Sequence, residues 1–249
     1  MAGGSLSRRV LRCGYVLALA GAVVQATLHL VDVYAFDGGV AAINSDNAGE
    51  GNVFTWASSS ATFAAALFCV LLLLAERRVV FGLVAAALTL FSVDDALALH
   101  ERATPEFLDV VGLDADLSRL AWPALLLPLM AFVALAIWQR AATASWDERR
   151  VLRGGIALLG LAIALELALF PAPDGSRARE LLEPSFVAAE ESIELGAWIL
   201  LTAGLASVLV RRIAIDSARE AADRRGRDDH PHGPALVAGE RRLRRLRRG

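Results

Sequence analysis

The sequence predicts an all-α fold, a bundle of six transmembrane helices with both termini in the cytoplasm. Three observations carry that expectation. Hydrophobic residues make up 56% of the 249 and charged ones only 21%; six separate runs stay apolar for the length of a membrane crossing; and the arginines are sorted to one side of those runs. Such a composition excludes a disordered chain and one that binds nucleic acid along its whole length. All 25 basic residues are arginine, so lysine Schiff bases, lysine nucleophiles and the lysine of a phosphate-binding loop are excluded too. Two cysteines cannot build a disulfide scaffold or a cysteine-rich zinc site.

A helix rises about 1.5 Å per residue through a hydrocarbon core about 30 Å thick, so a crossing needs about 20 mostly apolar residues. The first span is Cys13–Ala35, entered from a short cytoplasmic segment, residues 1–12. Its opening, Arg8, Arg9 and Arg12 before a run ending Val24-Gln25-Ala26, also has the form of a secretory signal with a small-residue cleavage site. The run continues through Leu28, Leu30, Val31 and Val33, however, long enough to span. Phe54–Ala75 and Val79–Leu99 follow. Leu120–Trp138 is the fourth span, where Pro123 and Pro128 are expected to kink the helix. Gly154–Phe170 and Ser185–Val210 complete a transmembrane domain over residues 13–212. The connections hold the Gly, Pro, Asn and Asp of turns. One of them, Asp46-Asn47-Ala48-Gly49-Glu50, has calcium-ligand residue types without EF-hand spacing and reads as a turn.

Orientation follows from the enrichment of basic residues in short cytoplasmic loops. Of the 25 arginines, 21 fall before the first span, between the second and third, between the fourth and fifth, or after the sixth; only Arg102, Arg119, Arg177 and Arg179 fall on the other side. Cys13 and Cys69 then lie near the cytoplasmic leaflet, where thiols stay reduced. Residues 213–249 lose apolar periodicity and are expected to form a disordered, Arg-rich cytoplasmic tail. Its end, Arg241-Arg242-Leu243-Arg244-Arg245-Leu246-Arg247-Arg248, suits anionic lipid, worth about 1 kcal/mol per arginine near the surface, or simple solvation. No aromatic residue interleaves with those arginines, so no nucleic acid is expected as a partner. His230 and His232 read as incidental.

Charged groups inside a span cost roughly 2.5–3.5 kcal/mol each at the bilayer centre, so each needs a reason. Here they cluster. The first span carries His29 and Asp32, the third Asp94 and Asp95 before His100-Glu101, the fifth Glu166, and the sixth Glu190, Glu191 and Glu194. All fall in the outer half of their helices, mostly within about 6–13 Å of the outer boundary. Gln25, His29 and Asp32 follow an i, i+4, i+7 stripe; Asp94 and Glu101 are seven apart, and Glu190 and Glu194 four apart. Glu166 stands alone and is expected to be protonated or to snorkel. Ser58, Ser59 and Ser60 read as small packing residues, and Trp56, Trp122, Trp138 and Trp198 as interface markers.

Two segments carry a resemblance. Phe91-Ser92-Val93-Asp94-Asp95-Ala96 with Leu99-His100-Glu101, and Glu190-Glu191-Ser192-Ile193-Glu194-Leu195-Gly196, resemble a widespread group of uncharacterised bacterial multi-pass membrane proteins. In that group a Ser-x-Asp-Asp/Glu…His-Glu helix is paired with a Glu-Glu-x-x-Glu helix. The resemblance implies a shared site at these positions and brings no reaction with it; the spans themselves are expected to lie in the plasma (inner) membrane.

Three uses of the layer follow from its chemistry. A divalent metal, Zn, Fe or Mn, suits carboxylate and imidazole ligands, here His29, Asp32, Asp94, Asp95, His100, Glu101, Glu190, Glu191 and Glu194. Such a metal would activate water against a membrane-associated substrate. The paired Glu-x-x-His motifs of dinuclear bundles are absent, as is His-Glu-x-x-His. A proton or cation pathway is the second use, although the inner halves of the spans hold almost no ionisable group to continue it. The third is a polar lock that makes the bundle a structural or assembly scaffold, with Asp32 paired to His29 or His100 and Glu101 to Arg102 or Arg119. Basic groups at that depth are too few to neutralise the acids, which favours bound cations or protons over pure ion pairing.

Overall fold

The computed structural model describes residues 2–36, 53–97, 118–168 and 177–228. Six helices make up the described residues, with no strand among them: α1 (Ala2–Phe36), α2 (Val53–Glu76), α3 (Val79–Leu97), α4 (Ser118–Ala142), α5 (Trp146–Ala168) and α6 (Arg177–Asp228). Four of these are long and apolar enough to cross a membrane, over Gly4–Phe36, Thr55–Glu76, Val79–Leu97 and Pro184–Arg225. In α4, whose side chains are described from Leu126 onward, the described part Leu126–Ala142 is apolar throughout most of its length. Charged Asp147, Glu148, Arg149, Arg150 and Arg153 occupy the start of α5 and shorten its apolar part. Large side chains such as Val16, Leu19 and Leu74 are about two-thirds exposed on the outside of the bundle. Contiguous apolar surface of this kind is unusual on a water-soluble monomer and suits lipid.

Helix α6 is the hub, packing most extensively on α1, then on α5 and α2, while α2 pairs with α3 and α4 bridges α3 and α5. Small residues allow the closest approaches. A β-carbon on Gly14 would collide with that of Ala203, so α1 and α6 can meet at this depth only through glycine. The two run antiparallel, with Ser7 against Ser207, Gly14 against Ala203 and Gln25 against Glu191. Leu72, Leu88, Leu152, Leu201, Leu205 and Val208 are wholly buried between the helices. At the α2–α3 turn Arg77 adopts φ 54° and donates its N–H to the Leu73 carbonyl at 2.7 Å, closing the end of α2. A non-glycine residue there costs about 1 kcal/mol. The end of the bundle that holds this turn is called inner, and the opposite end outer, after the predicted orientation.

Two boundaries differ from the sequence reading. Helix α1 is described from Ala2, so it runs continuously from the expected cytoplasmic segment into the first span: Ser7 and Leu11 are buried while Arg8, Arg9 and Arg12 stay exposed on the same helix. Helix α6 continues through Ile213 to Asp228, where disorder was expected. Alanine, arginine and glutamate favour helix without an apolar stripe, and Arg212 Nε lies 3.0 Å from Asp216 Oδ2 one turn on. At 52 residues α6 is about 78 Å long, more than twice the hydrocarbon core, so it extends well past one face. The Asp46–Glu50 turn, His100, Glu101, Arg102, His230, His232 and the 241–248 arginines lie outside the described residues, as do the side chains of Arg119, Trp122, Pro123 and Glu166. Cys13 and Cys69 are both free thiols.

Candidate functional site

The outer half of the bundle holds a polar layer drawn from α1, α2, α3 and α6. On α1 the stripe of Gln25, His29 and Asp32 is almost wholly enclosed, at 2, 5 and 1% exposure. It continues the face that meets α6 lower down through Leu11, Gly14 and Ala18. Gln25 Nε2 donates across that interface to Glu191 Oε2 at 3.3 Å. Between α2 and α3, Ser59 Oγ donates to Asp95 Oδ2 at 2.7 Å, and Ser92 Oγ to the Ser59 carbonyl at 2.8 Å. Deeper in the bundle, beside Ala203, Thr202 Oγ1 on α6 donates to the Ala61 carbonyl of α2 at 2.8 Å. Within α6, Trp198 Nε1 donates to Glu194 Oε1 at 2.9 Å. Gln25, Ser59 and Trp198 thus bring an amide, a hydroxyl and an indole to Glu191, Asp95 and Glu194.

Asp94, Asp95, Glu190, Glu191 and Glu194 are half-buried. Each of them, like His29 and Asp32, makes polar, ring or electrostatic contact with a neighbour. Among the described residues no three His, Cys, Asp or Glu side chains converge closely enough to hold a metal ion. His100 and Glu101, the remaining predicted ligands, lie outside those residues. Ser58 Oγ and Gln25 Oε1 are buried without a hydrogen-bond partner. Trp198 is a correction to the sequence reading. It is 4% exposed and packs in the core rather than marking an interface, because its indole N–H is satisfied by Glu194 without water. Exposed Trp56 and Trp138 keep an outward position.

The inner end solves a similar problem with charge. Glu148 is fully enclosed. Arg211 Nε lies 3.1 Å from its Oε1 and Arg211 Nη2 3.0 Å from its Oε2; Ser207 Oγ donates to Oε1 at 3.1 Å; and Ser7 Oγ, 2.6 Å from Ser207 Oγ, completes the group. The Ser145 N–H donates to Glu148 Oε2 at 2.8 Å and Ser145 Oγ accepts from the Glu148 N–H at 3.5 Å. Ser145-x-x-Glu148 is therefore a capping box that starts α5 and is also tied to α1 and α6. Burial pushes the Glu148 carboxyl up, but the Ser145 hydrogen bonds and the Arg211 guanidinium outweigh it and hold the group below its ordinary range. Nearby, Arg140 Nη2 bonds Glu76 Oε1 at 2.7 Å, both side chains close to nine-tenths buried. Every arginine whose side chain is described lies toward this inner end.

An all-helical bundle with a lipid-suited exterior and polar layers toward both ends defines a helical membrane protein. The chain belongs to the family described as a domain of unknown function, DUF8692, whose model matches residues 14–209. The matched span includes Asp94, Asp95 and the Glu190–Glu194 segment. No curated protein and no solved structure matches the chain.

Proposed function

We propose that the chain crosses the plasma membrane six times with both termini in the cytoplasm, and that its outer polar layer locks the bundle into one register as a scaffold for assembly in the bilayer. The observation that carries this reading is the set of hydrogen bonds crossing helix interfaces in the outer half of the bundle: Gln25 to Glu191, Ser59 to Asp95 and Ser92 to Ser59. In lipid there is little hydrophobic drive between helices, so small-residue packing and such bonds specify their pairing. The arginine asymmetry supports the orientation. Lipid is the surrounding partner, and the 241–248 arginines suit anionic headgroups.

One observation favours a second reading. Asp32, Asp94, Asp95, Glu190, Glu191 and Glu194 share the layer with His29, a set of carboxylate and imidazole groups of the kind that holds a divalent cation. A divalent Zn, Fe or Mn ion held by these residues with His100 and Glu101 would supply Lewis-acid chemistry to a membrane-associated substrate. Metal content and thermal stability of the detergent-purified chain separate the readings. The lock predicts no stoichiometric metal and a loss of about 1 kcal/mol in Ser59→Ala. One metal per chain, lost from Asp94→Asn and Glu190→Gln, would replace the lock with the metal site. Cation or proton flux in proteoliposomes that vanishes in the same two variants would replace it with transport.

A further inference from the structure

The inner rim carries a cleft that the outer layer does not explain. It has a volume of about 360 Å³ and lies between the α2–α3 turn, the end of α4 and the part of α6 that leaves the bundle. Arg78, Arg140, Arg211 and Arg212 line it, with Glu76 the one acid in its wall and Val208 and Ile215 its apolar side. Part of that cationic capacity is already used. Arg140 bonds Glu76 and Thr143, and Arg211 faces Glu148 through Nε and Nη2. Arg212 lies beside Asp216, yet its buried Nε has no aligned acceptor. The Arg78 carbonyl accepts from the Phe81 N–H at 3.1 Å, while its guanidinium has no hydrogen-bond or ion-pair partner among the described residues. Left-handed Arg77 makes the tight turn that sets Arg78 on this rim.

We propose that this cleft binds the phosphate of an anionic phospholipid, with Arg78 and Arg212 as the principal donors, Arg211 Nη1 beside them, and Val208 and Ile215 against the glycerol and upper acyl chain. Guanidinium groups present forked donors that match phosphate oxygens. Basic pockets at the ends of membrane helices, where apolar wall meets charged rim, provide both halves of a phospholipid's chemistry. A soluble phosphate would use the same arginines and leave the apolar wall unused. The proposal rests on the bundle sitting in a bilayer and is independent of what the outer layer does.

The test uses the full-length chain in detergent, with native mass spectrometry counting retained phosphatidylglycerol against phosphatidylcholine. Arg78→Gln/Arg212→Gln is compared with the wild type and with a variant whose 241–248 arginines are glutamine. The double variant is expected to bind phosphatidylglycerol about thirtyfold more weakly, two arginines at about 1 kcal/mol each. The tail variant should keep the bound lipid, and excess inorganic phosphate should not displace it. Arg78→Lys, which keeps the charge, retains most of the affinity and controls for folding, as does an unchanged circular dichroism spectrum. Equal retention in the double variant, loss in the tail variant, or displacement by inorganic phosphate would each overturn the proposal.

Discussion

The two polar regions of the bundle differ in the contacts their carboxylates make. At the inner end Glu148 and Glu76 are answered by Arg211 and Arg140. In the outer layer Glu191, Asp95 and Glu194 are answered by Gln25, Ser59 and Trp198. Every arginine whose side chain is described lies toward the inner end, which is where the carboxylates meet guanidinium groups. A carboxylate paired with a guanidinium is a fixed ion. A hydrogen bond from an uncharged donor is weaker than an ion pair, so the two ends should respond differently to substitution.

The largest effect should come from the inner end. Glu148→Ala removes a buried ion pair and a helix cap together, and should lower stability in detergent by about 3 kcal/mol, read as a fall in the thermal midpoint. Because the folded-state pKa of Glu148 is depressed, its contribution is fully present at neutral pH. It fades as pH falls below the ordinary glutamate value of about 4.3, a loss that Glu148→Ala should not show. Next comes Gly14→Val, which forces α1 away from α6 between the two layers and should cost about 2 kcal/mol by the same assay. Trp198→Phe keeps the ring and deletes the donor to Glu194; about 1 kcal/mol is expected. Gly160→Ala adds a β-carbon into open space on α5 and should stay within about 0.5 kcal/mol of wild type or gain slightly.

Helical class was legible because length and apolarity suffice for it, and the i, i+4, i+7 spacing of Gln25, His29 and Asp32 already marked one face. Partners were not legible. Nothing in the residues says that Gln25 meets Glu191, since this depends on the antiparallel register set by Gly14 and Ala203 far along the same helices. Glu148 has no place among the residues the sequence singles out, although Ser145-Trp146-Asp147-Glu148 carries a capping-box signature that points to it. Its burial by Ser7 and Ser207 comes from the two ends of the chain and has no local signal. Trp198 looked like an interface residue because tryptophan usually is one; its partner Glu194, one turn earlier, was the available clue. The helix over 213–228 was missed because apolar periodicity was taken as the signal for order, and a solvated Ala/Arg/Glu helix has none.

A double-mutant cycle on Ser59 and Asp95 tests the central claim most directly, that hydrogen bonds across the outer layer hold the helices in register. With Ser59→Ala, Asp95→Ala and the pair measured by unfolding of the full-length chain in detergent, a favourable coupling of about 0.6–1.7 kcal/mol is expected. Additive losses with no coupling would contradict it, since the 2.7 Å contact would then contribute nothing to holding α2 against α3.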